Sequence, residues 1–251
     1  MASHKPTAVL IIHGGYFLPA AWDAFWDKLR QAGFIVKCPR LPSCGDKRPP
    51  TATMNDDIIA VREAVQELID TNNSILVLAH SYGGMVASEA ISPDLYANNG
   101  KGAVGLILLS AWLVQPGDTL TDVISKYGFQ CKVDLSDNGD GTFFAKNAPE
   151  SFYNDIESIE AKDLAAKNVT HNLFAGSGKI SGAPWKDLPT TYIHCAQDMA
   201  IMLPLQQSMV QDAVNMGGKL ITKTIDSGHC PFLSQPEALL RIVEKAVTNL
   251  P

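Results

Sequence analysis

The stretch "ILVLAHSYGGMVASEA", Ile75 to Ala90, joins an aliphatic run to a helical pattern through one serine and two glycines. A short aliphatic run bounded by turn residues is typical of a buried strand, and "GGMVASEA" opens a helix. Ser81 therefore stands on the turn between a strand and a helix. That position fits the pattern Gly-x-Ser-x-Gly, in which a nucleophilic serine is exposed on a sharp bend.

The first position of this pattern departs from glycine, because Ala79 stands there. The residues two before and two after the serine must be small, since the bend brings them nearly into contact. Gly83 meets this requirement, and Ala79 carries the next smallest side chain. We therefore interpret Ser81 as a catalytic nucleophile, with an ordinary turn serine as the alternative.

Outside this stretch, short apolar runs alternate with helical patterns. Strands are predicted in "AVLIIHGG", "FIVKCPRL", "SILVLAH", "GAVGLILLSAW", "TTYIHCAQD" and "KLITKTIDSGHCPF". Strands that alternate with helices are joined by crossovers, which predicts an α/β fold with a mostly parallel, doubly wound sheet covered on both faces.

The alternation breaks between residues 113 and 187. We predict that residues 1–112 and 188–251 form one core and that 113–187 are an inserted cap, within a single domain. In the cap, "SDNGDG" is typical of a hairpin turn. It also resembles a calcium-binding loop, but Asn147 stands at the position where such a loop needs glutamate. The stretch 149–174 is predicted to be helical.

Composition excludes several classes of protein. The chain has 251 residues, 46% hydrophobic content, a net charge of −6 and no basic cluster, so no nucleic-acid partner is expected. No apolar run is long enough for a membrane span or a signal peptide. The five cysteines are expected to be free thiols of a reducing compartment, hence a cytoplasmic protein. No metal or dinucleotide motif is present, so we expect no cofactor; a homodimer is left open.

A nucleophilic serine needs an imidazole base, a carboxylate that orients the imidazole, and donors for the oxyanion. Of six histidines, His229 has the suitable position, in the loop "IDSGHCPF" between an apolar run and a helix. The other five are expected to be structural or exposed: His4, His13, His80, His171 and His194.

The carboxylate is expected at the carboxyl end of a strand, where catalytic groups of parallel sheets gather. Asp198 follows the strand "TTYIHC" and is the favoured acid. Asp118, in the turn "VQPGD", is the first alternative. Asp226 is the second, although it lies only three residues before His229.

The oxyanion donors are expected to be two backbone N–H groups. Tyr82 follows the nucleophile at a helix N-terminus, where the helix dipole also favours negative charge. Gly15 lies in "HGGYF" after the first strand, and Gly14 beside it lets the backbone approach a substrate closely.

With "LIIHGGYFLPAAWDAFWDKLRQAGFIV", "LAHSYGGMVASEA" and "DSGHCPFLSQPEAL", the chain resembles α/β-hydrolase fold proteins nearly end to end. It is most similar to the branch of plant methyl esterases, hydroxynitrile lyases and fungal and bacterial hydrolases. The resemblance implies the triad Ser81, Asp198 and His229, in the order that this fold requires. It also implies Gly15 and Tyr82 as oxyanion donors, and a cap that shapes the acyl pocket.

Two departures separate this chain from the lyases. The lyases tend to have threonine where Gly14 stands and lysine where Cys230 stands, so the resemblance favours hydrolysis. Cys230 also differs from the serine expected in hydrolases. We interpret it as a packed residue, with a pocket-lining residue as the alternative.

The sequence thus predicts a serine esterase, lactonase or thioesterase for a small, fairly apolar ester-like substrate. The alternatives are a lyase or a cofactor-free oxygenase that uses the His229–Asp198 pair, or a receptor without catalysis. The residues expected to line the pocket are Gly14, Tyr16, Trp112, Leu113, Phe129, Phe144, Phe152 and Tyr153.

Overall fold

A parallel sheet with helices on both faces forms the centre of the protein. The computed structural model describes residues 8–45, 47–48, 50–128, 131–248 and 250. Its strands are β1 (Ala8–Ile12), β2 (Ile35–Lys37), β3 (Ser74–His80), β4 (Gly102–Leu109), β5 (Leu135–Asp137), β6 (Thr142–Ala145), β7 (His171–Asn172), β8 (Thr190–Cys195) and β9 (Leu220–Ile225).

The α-helices of the described residues connect these strands. They are α1 (Asp23–Gln31), α2 (Met54–Asp70), α3 (Gly83–Ala90), α4 (Leu120–Tyr127), α5 (Ala148–Phe152), α6 (Ser158–Ala165), α7 (Pro184–Asp187), α8 (Leu203–Asn215), α9 (Pro231–Ser234) and α10 (Pro236–Thr248). Short 3₁₀ turns occur at Pro19–Trp22, Pro93–Leu95 and Leu173–Gly176.

The main sheet has the strand order β2-β1-β3-β4-β8-β9, and all neighbouring strands are parallel. The central strands β1, β3, β4 and β8 are buried on both faces, as their continuous apolar runs predict, whereas the edge strands β2 and β9 are partly exposed. Alternate residues of β1 belong to different core clusters: Leu10 and Ile12 pack with α2, α3 and α8, whereas Val9 and Ile11 pack with α1 and α10. The predicted α/β fold is confirmed.

The segment 113–187 contains a second, antiparallel sheet of the described residues, in the order β5-β6-β7, together with α4 to α7. The predicted hairpin turn joins β5 to β6, and Asp140 closes it by accepting a hydrogen bond from the N–H of Thr142 at 3.0 Å. The interpretation of this segment as a cap remains a prediction.

The predicted helix over 149–174 is wrong in two places. The chain leaves the helical conformation after Phe152, and α6 begins only at Ser158, capped by the Glu157 side chain. After α6 the chain extends, because His171 pairs with Phe143 in β6. The apolar spacing misled here, since Ile159 is 71% exposed.

The turn after β3 depends on two glycines that touch neighbouring backbone. A Cβ added at Gly83 would lie 2.3 Å from the carbonyl oxygen of Ile12, and one at Gly84 would lie 2.6 Å from that of Trp112. The first turn of α3 is therefore packed between the end of β1 and the segment that follows β4. These contacts give the physical reason for small residues after Ser81.

We expect Gly83→Ala to lower the free energy of unfolding by about 3 kcal/mol, because the added methyl group meets backbone that cannot move aside. Gly33→Ala is the control: Gly33 has a φ of 92° but an open surrounding, so only backbone strain of about 1 kcal/mol applies. Urea denaturation measures both. Equal losses in the two variants would contradict the close approach at Gly83.

None of the helices in the described ranges is long and apolar enough to cross a membrane. The five cysteines carry free thiols. Cys230 is fully buried in the core cluster that contains α1 and α10, in agreement with its interpretation as a packed residue.

Candidate active site

The strand order of the main sheet reverses between β1 and β3. Ligands of such sheets bind outside the carboxyl ends of the strands at this reversal. Gly14 and Gly15 follow β1, and Ser81 follows β3 directly. The topology therefore places the predicted nucleophile beside the glycine-rich turn.

Ser81 has a left-handed backbone conformation, with a φ of 53°. Three backbone hydrogen bonds hold it there. Its N–H donates to the carbonyl of Leu109 at 3.3 Å, and its own carbonyl accepts from the N–H groups of Gly84 and Trp112, both at 3.0 Å. A non-glycine residue kept in this region is strained, and such strain clusters at functional sites.

Asp198 and His229 form a buried pair at the same edge of the sheet. The Nδ1 of His229 donates to Oδ2 of Asp198 at 2.8 Å, and both side chains are almost fully inaccessible. The other carboxylate oxygen accepts from the N–H groups of Ala200 at 2.7 Å and Ile201 at 2.9 Å. The carboxylate is thereby fixed, and Nε2 of His229 is left to accept a proton.

Two further side chains that the sequence analysis missed hold Asp198. The Ser110 hydroxyl donates to Oδ2 of Asp198 and lies 3.5 Å from Nδ1 of His229. Gln206 donates to the same Oδ2 at 3.3 Å. Ser110 follows β4 directly, as Ser81 follows β3, and a polar residue at the end of a buried parallel strand is the signal that would have indicated it.

His229 lies beside the cavity that Ser81 lines. The ring centroid of Phe152, another lining residue, is 5.6 Å from that of His229. His80, which directly precedes Ser81, donates from Nε2 to the carbonyl of His229 at 2.9 Å. No hydrogen bond among the described residues joins the Ser81 hydroxyl to His229. Catalytic hydrogen bonds often form only when substrate is bound.

The two predicted oxyanion donors also line this cavity. Gly15 and Tyr82 are buried, and neither backbone N–H donates a hydrogen bond to another group in the described part of the chain. Buried N–H groups are nearly always paired in native proteins. Two unpaired amides on one cavity wall therefore indicate a site for a ligand oxygen.

The alternative acids lie elsewhere. Asp226 is exposed and accepts a hydrogen bond from Gln197 at 2.7 Å. Asp118 is in a turn, where its carbonyl accepts from the N–H of Ile180 at 2.9 Å. Neither carboxylate contacts His229 among the hydrogen bonds of the described residues, so the structure pairs this histidine with Asp198.

Of the remaining histidines, His13 and His80 bond to backbone, as expected. His13 donates from Nδ1 to the carbonyl of Gly14 at 2.8 Å and accepts from the N–H of Leu41 at 3.1 Å. Burial lowers the pKa of His13 to about 4 and holds the pKa of His80 well below its usual value, so both are neutral. His4 lies outside the described residues.

The cavity has a volume of about 200 Å³ and mostly apolar walls. Its walls come from both the main sheet and the segment 113–187. The lining residues are Gly15, Tyr16, Ser81, Tyr82, Trp112, Leu120, Ile124, Cys131, Val133, Leu135, Phe143, Phe152, His171, Asn172, Gly176, Ala200 and Ile201.

Four residues predicted to line the pocket do not line the cavity: Gly14, Leu113, Phe144 and Tyr153. Gly14 lies behind the wall, against His80 and Ser81. Leu113 is buried in the core cluster of α2 and α3, and Tyr153 turns its hydroxyl to Asn168 at 2.6 Å.

In β6, Phe143 lines the cavity instead of Phe144, because successive side chains of a strand point to opposite faces. Phe129 lies outside the described residues. Three of the residues predicted to line the pocket do line the cavity: Tyr16, Trp112 and Phe152.

His171 is the lining residue that sequence reasoning placed among structural or exposed histidines. It reaches the cavity because its segment extends between β6 and the loop at Cys44. No local pattern indicates this placement, since it arises from long-range pairing of short segments.

No group of three or more His, Cys, Asp or Glu residues in the described ranges has the arrangement of a metal site.

The sequence model of the Alpha/beta hydrolase family matches residues 9–242, which is nearly the whole chain. The chain belongs to the α/β-hydrolase family. This confirms the fold and the resemblance that the three quoted stretches indicated.

Several known proteins align with this chain over almost their full length. A protein called probable hydrolase R7, from Phoma sp., is 28% identical over 92% of this chain and 94% of its own. Polyneuridine aldehyde esterase from Rauvolfia serpentina is 23% identical over 92% of each chain. A solved pyrethroid hydrolase from Sphingobium faniae superposes with a TM-score of 0.74 at 19% identity, over 97% of this chain and 98% of that one. The Phoma hydrolase and the Rauvolfia esterase support a hydrolase. The superposition of the pyrethroid hydrolase supports the fold.

Proposed function

We propose that the protein is a serine hydrolase that cleaves an ester, thioester or lactone of a small, fairly apolar substrate through an acyl-enzyme. Ser81 is the nucleophile, His229 the base and Asp198 the residue that orients the base. One observation carries this proposal: a strained Ser81 lines an apolar cavity, and the buried Asp198–His229 pair adjoins the same cavity through Phe152.

In the first half-reaction, the Ser81 oxygen attacks the carbonyl carbon of the substrate while its proton passes to Nε2 of His229. The carbonyl oxygen becomes negatively charged and accepts hydrogen bonds from the N–H groups of Gly15 and Tyr82. Asp198 stabilises the imidazolium through Nδ1. The carbon–heteroatom bond then breaks, and the leaving group takes the proton from Nε2.

In the second half-reaction, a water molecule gives a proton to Nε2 and attacks the acyl carbon. The same two N–H groups stabilise the oxyanion again. The bond to the Ser81 oxygen breaks, the serine regains its proton from His229, and the carboxylic acid leaves. In each half-reaction, Nε2 of His229 thus first accepts a proton and then returns one.

The walls of the cavity support a small acyl group. Tyr16, Trp112 and Phe152 would contact it from the core and from α5, and Ile124 from α4. We propose that the segment 113–187 acts as the cap that selects the substrate, since α4, β5, β6 and β7 all contribute lining residues.

We expect a clear preference for short acyl chains among p-nitrophenyl esters, because a cavity of about 200 Å³ is only somewhat larger than one that holds benzene. The butyrate should exceed the octanoate in kcat/KM by about 10-fold, the factor that corresponds to 1.4 kcal/mol. Steady-state assays of the acetate, butyrate and octanoate measure this. The His229→Gln variant supplies the background, and hydrolysis no faster than this background with every ester would contradict the proposal.

The alternatives differ from the proposal in their dependence on Ser81. A lyase or a cofactor-free oxygenase would use the His229–Asp198 pair as a base and would keep much of its activity in Ser81→Ala. A receptor would bind ligand without turnover. Two unpaired N–H groups beside the serine favour acyl transfer over both.

A further inference from the structure

A buried chain of polar side chains runs from α2 to the cavity wall. Asp57 accepts hydrogen bonds from the N–H of Ser43 at 2.9 Å, from its hydroxyl at 2.5 Å and from the hydroxyl of Tyr82 at 2.7 Å. Nε2 of His171 lies 3.2 Å from the Ser43 hydroxyl oxygen. None of these side chains except Tyr82 was part of the predicted site, and the proposed chemistry does not use them.

The direction of these hydrogen bonds fixes the proton on His171. Burial raises the pKa of Asp57. Three donors nevertheless converge on its carboxylate, namely the N–H and hydroxyl of Ser43 and the hydroxyl of Tyr82, so we assign Asp57 as the acceptor in all three hydrogen bonds. The single hydroxyl proton of Ser43 goes to Asp57. Ser43 can therefore only accept from His171, and Nε2 carries the proton. Burial lowers the pKa of His171 to about 3, so the ring is neutral and Nδ1 is a free acceptor.

The free Nδ1 of His171 lies next to the oxyanion donors. A Cβ added at Gly15 would be 2.8 Å from this nitrogen, and both residues line the cavity. Nδ1 has no hydrogen-bond donor among the described residues. By contrast, the amide of the neighbouring Asn172 is occupied, since it donates to the carbonyl of Ala52 and accepts from the N–H of Phe174.

The position of His171 is fixed from both sides. Its backbone pairs with Phe143 in β6 and bridges to Cys44, and its ring contacts the rings of Tyr16 and Tyr82, with centroids 5.5 and 4.5 Å away. An acceptor held in place in an apolar wall discriminates strongly between substrates with and without a hydrogen-bond donor. A substrate without a donor leaves the acceptor unpaired.

We propose that Nδ1 of His171 accepts a hydrogen bond from a hydroxyl group on the β-carbon of the acyl chain, so that the preferred substrates are esters or thioesters of β-hydroxy acids. A β-hydroxyl can rotate to lie beside the carbonyl oxygen of its own chain. When Gly15 and Tyr82 hold that oxygen, the hydroxyl is on the side of His171. This inference rests on the proposed hydrolase function.

A matched pair of substrates tests the proposal. The p-nitrophenyl esters of 3-hydroxybutyrate and 3-methylbutyrate differ only by a hydroxyl in place of a methyl group. The unmodified protein should have the higher kcat/KM with the hydroxy ester, although an apolar cavity by itself would favour the methyl ester. In His171→Phe the ratio of hydroxy to methyl ester should fall roughly 10- to 100-fold, the effect of one unpaired buried acceptor.

Two other variants separate the hydrogen bond from the shape of the wall. His171→Asn can place an amide oxygen where Nδ1 stands and should retain part of the preference. Ser43→Ala removes the group that fixes the proton, so the preference should fall although His171 remains. Nitrogen NMR of labelled histidine should show the proton of His171 on Nε2 in the unmodified protein, and a mixture of tautomers in Ser43→Ala.

Hydrolysis of both esters with an unchanged ratio in His171→Phe would overturn the inference and leave the hydrolase function standing. A proton found on Nδ1 would also overturn it, and this measurement needs no activity. Failure of the hydrolase function has a different signature: neither ester is cleaved, and Ser81 does not react with an acylating probe. If His171→Phe does not fold, the Ser43→Ala ratio decides.

Discussion

Ser81→Ala is expected to lower kcat/KM for p-nitrophenyl butyrate by roughly 10⁴- to 10⁶-fold, the loss seen when a serine nucleophile is removed. The change deletes one oxygen and keeps the bend, because backbone hydrogen bonds from Gly84, Trp112 and Ser81 itself hold residue 81 in place. The fold should therefore survive, and thermal unfolding should show it.

The matched control for this prediction is Ser208→Ala. Ser208 lies in α8 and its hydroxyl donates to the carbonyl of Pro204 at 2.9 Å, away from the cavity. Its kcat/KM should stay within a factor of two of the unmodified protein, roughly the experimental scatter of a surface substitution. Ser81→Ala with substantial remaining activity would point instead to the lyase or oxygenase reading of the His229–Asp198 pair.

Asp198→Asn is the second change with a large expected effect, a fall in kcat of about 10⁴-fold. An amide in this position can donate to Nδ1 of His229, which would move the ring proton to Nε2 and remove the base. The N–H groups of Ala200 and Ile201, which donate to the other carboxylate oxygen, would hold the amide oxygen in place, so displacement of the side chain should not explain the loss. Steady-state kinetics with the butyrate ester measure it.

The two alternative acids provide the controls for Asp198→Asn. Asp226→Asn alters an exposed carboxylate that contacts Gln197, and Asp118→Asn alters a turn residue. Both should leave kcat nearly unchanged. A large loss in either of them, with a small loss in Asp198→Asn, would move the orienting role away from Asp198.

Much of the scaffold could be predicted because it depends on local patterns. Continuous aliphatic runs such as β3 are typical of buried parallel strands, and the structure places them there. Polar residues at the ends of those strands necessarily gather at one edge of the sheet. For this reason Asp198 and His229 could be paired from the sequence, and the structure brings them to 2.8 Å. Their catalytic roles remain a proposal.

The cavity walls could not be predicted in the same way. The segment 113–187 has short elements with little apolar periodicity, and the expected helix over 149–174 is divided by pairing of distant segments. His171 enters the cavity only because its backbone lies between Phe143 and Cys44. Leu113 and Tyr153 turn into core clusters, a choice that depends on packing on both sides of the chain.

The most direct measurement of the central claim, an activated Ser81, is intact-protein mass spectrometry after a fluorophosphonate probe. This probe reacts only with serines whose hydroxyl is activated by a base, and it leaves one phosphonyl group on each site. We predict complete labelling at one site per chain in the unmodified protein and in Ser208→Ala, and none in Ser81→Ala. Labelling that persists in Ser81→Ala, or its absence from the folded, unmodified protein, would contradict the account.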